Sequence, residues 1–259
     1  MKKIILILLC AVLPGTVSAA AGGGQAKLDA VHIDLNDKES LQRGARIFVN
    51  YCLSCHSASY MRYSRMGEDL GISDELVKEN LLFAADKPGE LMKAVMPRDD
   101  ARQWFGTAPP DLSLVARSRG PEWFYTYMRS FYRTDKSPSG WDNTVFQHVA
   151  MPHVLYEWQG EQRAVYRTEK HESVVKKDGK KLNKVTEKTV FDHFEIAKPG
   201  SMSTPQYDAA MRDLTNFMVY LGEPAKLVRY RIGVYVLVFL AIFLVVAYLL
   251  KKEYWKDVH

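Results

Sequence analysis

Residues 52–56 read Cys-Leu-Ser-Cys-His, and no other short stretch restricts this chain so tightly. Two thiols three residues apart, followed at once by an imidazole, form the attachment pattern for a c-type haem. The sulfurs can add across the porphyrin vinyl groups as thioethers, and the adjacent histidine is then placed to ligate the iron from one face. The rest of the chain must therefore fold around a covalent haem. A thioredoxin-type dithiol needs a βαβ setting that these flanks lack, and a zinc ribbon needs a second cysteine pair. The sequence holds only three cysteines in all.

The third, Cys10, falls in a leader. Met1-Lys2-Lys3 supplies a positive start, Ile4 to Leu13 an apolar core, Pro14-Gly15 a break and Val17-Ser18-Ala19 a small-residue cleavage site, the layout of a secretory signal peptide over residues 1–19. A lipoprotein signal would carry a small residue where Leu9 stands. Once the leader is removed, both remaining cysteines belong to the haem motif and no disulfide can form.

Near the other end, Ile232 to Leu250 is an uncharged apolar run of 19 residues. As a helix it would span roughly 28 Å, close to the hydrocarbon thickness of a bilayer. It is apolar on every face and flanked by Arg229, Arg231, Lys251 and Lys252, which marks a membrane anchor rather than a core helix. Positive charge at both ends leaves the orientation to the leader. The expected layout is a periplasmic domain over 20–228, an anchor over 229–250 in the bacterial inner membrane and a cytoplasmic tail over 251–259, with Tyr254 and Trp255 at the inner interface.

The formal charge of +5 shrinks once Lys2 and Lys3 leave with the leader and the tail is set aside. What remains on the exported part is too close to zero to argue for nucleic acid or for a strongly charged partner.

Helical periodicity frames this domain. Leu41, Gly44, Ala45, Phe48 and Cys52 fall at i, i+3, i+4, i+7 and i+11, one helix face leading into the haem motif, and Gly44-Ala45 would let a second helix approach closely. Its candidate partner starts at Thr204-Pro205, read as an N-cap and a first-turn proline, and runs through Met211, Leu214, Phe217, Met218 and Leu221 to Gly222. Two crossed terminal helices around a haem predict a mainly α, class I cytochrome c-like domain. Ser73 to Phe83 and Pro121 to Tyr132 also read as helices, and Ala108-Pro109-Pro110-Asp111 as loop. Glu161 to Lys198 holds ten basic and seven acidic residues about a Lys177-Asp178-Gly179-Lys180 turn signal, the pattern of a solvated β-hairpin or flexible insertion.

The sixth iron ligand decides the chemistry. A methionine favours ferrous iron and a high potential, a histidine lowers the potential, and an open position admits small molecules. Met151, Met96, His148 and His153 are all candidates, and local sequence places Met151 only slightly ahead.

Read in order, Cys52 to Ser57, Tyr60, Arg62-Tyr63, Asp69-Leu70-Gly71, Trp104 to Ser113, Ala150-Met151-Pro152 and Gly222-Glu223-Pro224 before a single anchor resemble the cytochrome c1 family, the haem c subunit of the quinol:cytochrome c oxidoreductase (bc1) complex, in a proteobacterial form. The resemblance implies one covalent haem c with His56 and Met151 as iron ligands, Arg119 as a propionate partner and Tyr125 as the aromatic beside it. A carbonyl of Pro109 or Pro110 is then expected to accept the second ring N–H of His56. The implied activity is one-electron, outer-sphere transfer from the Rieske iron-sulfur protein to a soluble or tethered c-type cytochrome, with the anchor beside cytochrome b. Two other readings fit the motif alone: a membrane-anchored monohaem cytochrome feeding a terminal oxidase or reductase, and a haem enzyme or gas sensor with an open iron site.

Overall fold

The computed structural model describes residues 27–177 and 180–257, with the backbone alone over 171–186. The expected leader lies outside the described residues, as does the Asp178-Gly179 turn. Helix α1 (Lys38–Ile47) begins where the Asp37 carboxylate accepts the Ser40 N–H at 2.9 Å. It runs on as one turn of π-helix, Phe48–Cys52, which delivers the chain into the Cys-x-x-Cys-His motif. Such wide turns often mark functional positions, because they re-aim the residues that follow.

Beyond the motif, β1 (Ala58–Arg62) is followed by α2 (Tyr63–Leu70) and α3 (Asp74–Asn80), then pairs antiparallel with β2 (Leu91–Met92). Short helices α4 (Arg98–Phe105), α5 (Val115–Arg119) and α6 (Pro121–Arg129) lead to a small hairpin of β3 (Phe131–Arg133) and β4 (Trp141–Asn143). One turn of helix, α7 (Tyr156–Gln159), precedes a long hairpin of β5 (Gly160–Lys177) and β6 (Lys180–Pro199). The domain closes on α8 (Thr204–Gly222), and α9 (Lys226–Tyr254) follows. The expected mainly helical domain with one apolar C-terminal helix is what forms.

The crossing of α1 and α8 organises the core. A Cβ added to Gly44 would sit 2.6 Å from Phe217 Cβ and closer still to the Asp213 carbonyl, so only glycine lets the two backbones meet there. Around this point Ser40 Oγ donates to Asp213 Oδ1 at 2.7 Å, Arg43 Nε pairs with Asp213 Oδ2 at 2.5 Å, and Asn216 Nδ2 donates to the Asp34 carbonyl at 2.7 Å. Phe48 and Phe217 pack with ring centroids 5.7 Å apart. Ser40, Arg43, Asp213 and the Asn216 N–H are thus paired at the seam, as a low-dielectric interior favours, while Asn216 Oδ1 has no partner among the described residues.

Three local expectations are corrected. The second predicted helix ends at Asn80 rather than Phe83. The predicted helix over Pro121–Tyr132 stops at Arg129, and Phe131 and Tyr132 enter a strand. Side-chain amides from distant positions take its terminal carbonyls: Asn143 Nδ2 donates to Tyr127 O at 2.8 Å, and Gln162 Nε2 to Arg129 O and Phe131 O at 2.9 and 2.6 Å. The N-cap of α8 is Ser203, not Thr204, because Gln206 three residues on accepts the Ser203 N–H at 2.9 Å.

Of the two alternatives for the charged segment, the hairpin forms. Its strands pair from Gly160–Pro199 to Lys177–Lys180, with bulges near Gln162 and Tyr166, and 18 residues of strand extend about 60 Å. Its base is tied to the domain by the buried Gln162, an Arg133–Glu161 ion pair and a Tyr166–Tyr132 hydroxyl contact. Helix α9, at 29 residues, is long and apolar enough to cross a bilayer, and none of its side chains is buried against the domain.

Candidate functional site

The π-turn ends in a tightly wound loop. Leu53 N–H donates to Phe48 O at 3.0 Å, and the N–H groups of Cys55 and His56 both reach Cys52 O, at 3.1 and 2.8 Å. Cys52 is buried, Cys55 partly open, and the two thiols are not joined. Burial, with a smaller contribution from the neighbouring Cys55, pushes the Cys52 thiol up to about 12. A redox dithiol sits in electropositive surroundings that lower a thiol instead, so the setting disfavours that chemistry.

The His56 ring is 9% exposed, and its Nδ1 donates to the Pro110 carbonyl at 2.8 Å. Of the two prolines expected for this role, the structure selects Pro110. Burial lowers the ring's pKa, which keeps the imidazole neutral despite that hydrogen bond and nearby Asp111. The proton is therefore held on Nδ1 and the Nε2 lone pair is left to bind a metal. The Pro109-Pro110 loop is itself fastened to the residues after the motif. Asp111 accepts the N–H of Ser59 at 3.0 Å and of Ser113 at 2.8 Å, and Leu112 N–H donates to Ser57 O at 2.8 Å. Burial alone would raise the Asp111 carboxyl, but its hydrogen bonds with Ser113 and Ser59 outweigh that and hold it below the usual range.

The four candidate sixth ligands are placed very differently. Met96 stays beside the motif's own backbone, its N–H 3.2 Å from Ser54 O, in a cleft of about 470 Å³ that it shares with Cys55, Pro109 and Asp111. His148 is exposed, in a left-handed conformation with φ 59°. His153 is 1% exposed, stacked on Phe131 at 4.9 Å and edge-on to Trp141 at 5.1 Å. Burial takes its pKa down to about 4, and Gln159 offsets this only in part. Met151 is half-buried, and its Sδ accepts a hydrogen bond from the Tyr127 hydroxyl at 3.5 Å. Its neighbours Val149, Ala150 and Pro152, together with Trp104, Phe105 and Tyr132, line a cleft of about 940 Å³.

Around Met151 the structure assembles an array that sequence reading missed. The Tyr127 ring stacks on Trp123 with centroids 5.0 Å apart and planes 11° from parallel, and meets Phe131 edge-on at 5.0 Å. The Arg119 guanidinium lies 5.3 Å from the Trp123 ring centroid. Tyr125, the aromatic expected beside Arg119, instead lies under the Arg129 guanidinium at 4.6 Å, within a cluster where Arg129 pairs with Asp208 and Asp29. Residues two apart on a helix face opposite ways, which sends Tyr125 and Tyr127 to different sides of α6. The available signal was the four-residue spacing of Trp123 and Tyr127.

These groups fit a covalent haem. Two unjoined thiols precede an imidazole whose tautomer is set by its Nδ1 hydrogen bond, a thioether is held on a separate loop, and the buried Trp123 Nε1 has no hydrogen-bond acceptor among the described residues.

Comparison with known proteins agrees. The model of the Cytochrome C1 family matches residues 30–258. The chain is 48% identical to cytochrome c1 of Allochromatium vinosum over 259 residues, covering 100% of both chains. It is 44% identical over 257 residues to a Nitrosomonas europaea protein described as ammonia monooxygenase gamma subunit, covering 99% of this chain and 100% of that one. It is 25% identical over 289 residues to cytochrome c1 of Rhodospirillum rubrum, covering 95% and 96%.

Proposed function

Since the chain belongs to the cytochrome c1 family, we propose that Cys52 and Cys55 hold its haem as thioethers and that His56 and Met151 are the two axial ligands. It is the electron-carrying subunit of a bc1 complex, with one covalent haem c and an anchor in its single apolar C-terminal helix. The haem, when bound, supplies a one-electron ferric–ferrous couple.

The chain's own groups supply attachment, orientation and tuning. Cys52 at the end of the π-turn and Cys55 in the loop after it would hold the haem edge. Pro110 holds the Nδ1 proton of His56, which fixes the ring orientation and strengthens Nε2 as a donor. Met151 offers a thioether, which favours the ferrous state. Arg119 is assigned to a propionate. The aromatic share of that contact goes to Trp123 rather than Tyr125, since Trp123 carries the unpartnered buried N–H and the Arg119 guanidinium above it. The observation that carries the reading is the His56–Pro110 hydrogen bond beside two unjoined thiols, because it fixes one tautomer and leaves Nε2 with no hydrogen-bond partner among the described residues.

Within the complex, electrons arrive from the Rieske iron-sulfur subunit and leave to a soluble or tethered c-type cytochrome, while α9 packs beside cytochrome b. Residues 1–19 are the cleaved leader, 20–228 the periplasmic haem domain, 229–250 the anchor and 251–259 the cytoplasmic tail.

The test is purification in mild detergent with reduced-minus-oxidised spectra. Cys52→Ala, Cys55→Ala should lose covalent haem. Met151→Leu should erase the weak sulfur-to-iron band at the red edge of the oxidised spectrum and lower the potential, and Met96→Leu should leave both in place. A normal covalent haem in the double cysteine variant, or loss of the band from the Met96 variant instead, overturns the assignment.

A further inference from the structure

We infer that Tyr127 is a positioning residue for the sixth ligand, and that its hydroxyl, by holding the Met151 thioether, raises the potential of the iron. The inference rests on the reading of Met151 as a ligand. It adds a residue that neither the motif nor the resemblance singled out.

Three observations carry it. The Tyr127 hydroxyl donates to Met151 Sδ at 3.5 Å, and no other hydrogen-bond partner for it is found among the described residues. The ring is 8% exposed. It is also clamped on two sides, flat against Trp123 and edge-on to Phe131, both with centroids 5.0 Å away. A clamped ring fixes the aim of its O–H, so the contact is preorganised rather than incidental.

The chemistry has one sign. A thioether sulfur has two lone pairs, so one can bind iron while the other accepts the O–H. Accepting draws density from the sulfur and makes it a weaker donor to ferric iron. The positive end of the O–H dipole is aimed at the sulfur that would bind the iron, so it would oppose the extra positive charge of the ferric state, and burial strengthens that interaction. Both effects favour the ferrous form. Tethering the thioether also opposes its displacement by an outside ligand.

The experiment uses the full-length holoprotein in detergent, titrated against a reference couple. Tyr127→Phe keeps the ring and its stacking and removes only the donor. The expected result is an intact covalent haem and red-edge band with the exchange equilibrium moved three- to tenfold towards ferric, a fall of about 30–60 mV at 59 mV per decade for one electron. 3-Fluorotyrosine placed at position 127 keeps the fold while making the hydroxyl a stronger donor, and should move the potential upward. A purely structural Tyr127 would not give shifts of opposite sign. An unchanged potential in both proteins, with the band intact, overturns the inference and leaves the ligand reading standing. An unaltered band and potential in Met151→Leu removes the ligand reading and the inference with it.

Discussion

Replacing Gly44 by alanine tests how the helix crossing holds the haem motif. At an exposed helical position this change stabilises by about 1 kcal/mol, since alanine is the better helix former. Here the new Cβ would lie 2.6 Å from Phe217 Cβ and closer to the Asp213 carbonyl, a backbone atom that cannot swing aside. Restoring an ordinary carbon contact of about 3.6 Å requires α8 to withdraw by roughly 1 Å. That displacement stretches the 2.7 Å Ser40–Asp213 hydrogen bond beyond useful length, and a hydrogen bond to a charged group contributes about 1.5–3 kcal/mol. Overpacking of this kind adds roughly 1–3 kcal/mol. Set against the propensity gain, the net loss is about 2–5 kcal/mol. At about 2–4 °C per kcal/mol for a domain of this size, the melting temperature should fall by roughly 4–20 °C. The assay is thermal unfolding of the full-length holoprotein in detergent, followed by circular dichroism. Gly89→Ala serves as the control, because a Cβ there meets nothing within 4 Å. A Gly44→Ala protein that melts at or above the parent temperature would refute the claim that this crossing tolerates only glycine.

Further outcomes follow from single features. Asp111 is held below the usual carboxylate range, so it contributes stability above the unfolded value of about 3.9 and loses it as pH falls through its lower folded value. The deficit of Asp111→Asn should therefore be largest near neutrality and narrow below about pH 4, and an equal deficit at pH 7 and pH 3 speaks against this. Joining Lys170 to Lys188 through a two-residue turn removes the distal hairpin but keeps its tied base, so the haem spectrum and melting temperature should hold; a collapse of either would show that the distal strands support the core. A reporter fused after His259 should be active only in the cytoplasm, and periplasmic activity would reverse the proposed orientation.

What was legible in the sequence is what depends on neighbours along the chain. The haem motif is five consecutive residues. The face through Leu41, Gly44, Ala45 and Phe48 repeats at the period of one helix, the apolar run at 232–250 has the length of a bilayer, and the Asp178-Gly179 signal lies between strands that do pair. Each is a short-range pattern written into contiguous residues.

Tertiary structure decided the rest, because the deciding partner is far away in sequence. Helix α6 ends at Arg129 because Asn143 and Gln162 take the carbonyls that another turn would have used. Pro110 rather than Pro109 meets His56 because Asp111 and Leu112 are pinned to Ser59 and Ser57 across some fifty residues. Met96 and Met151 each precede a proline and look alike locally. One folds back onto the backbone of the haem motif, and the other is brought to the hydroxyl of Tyr127. Local sequence determined which groups can bind a haem iron, while the distances between them came from packing elements that no local pattern connects.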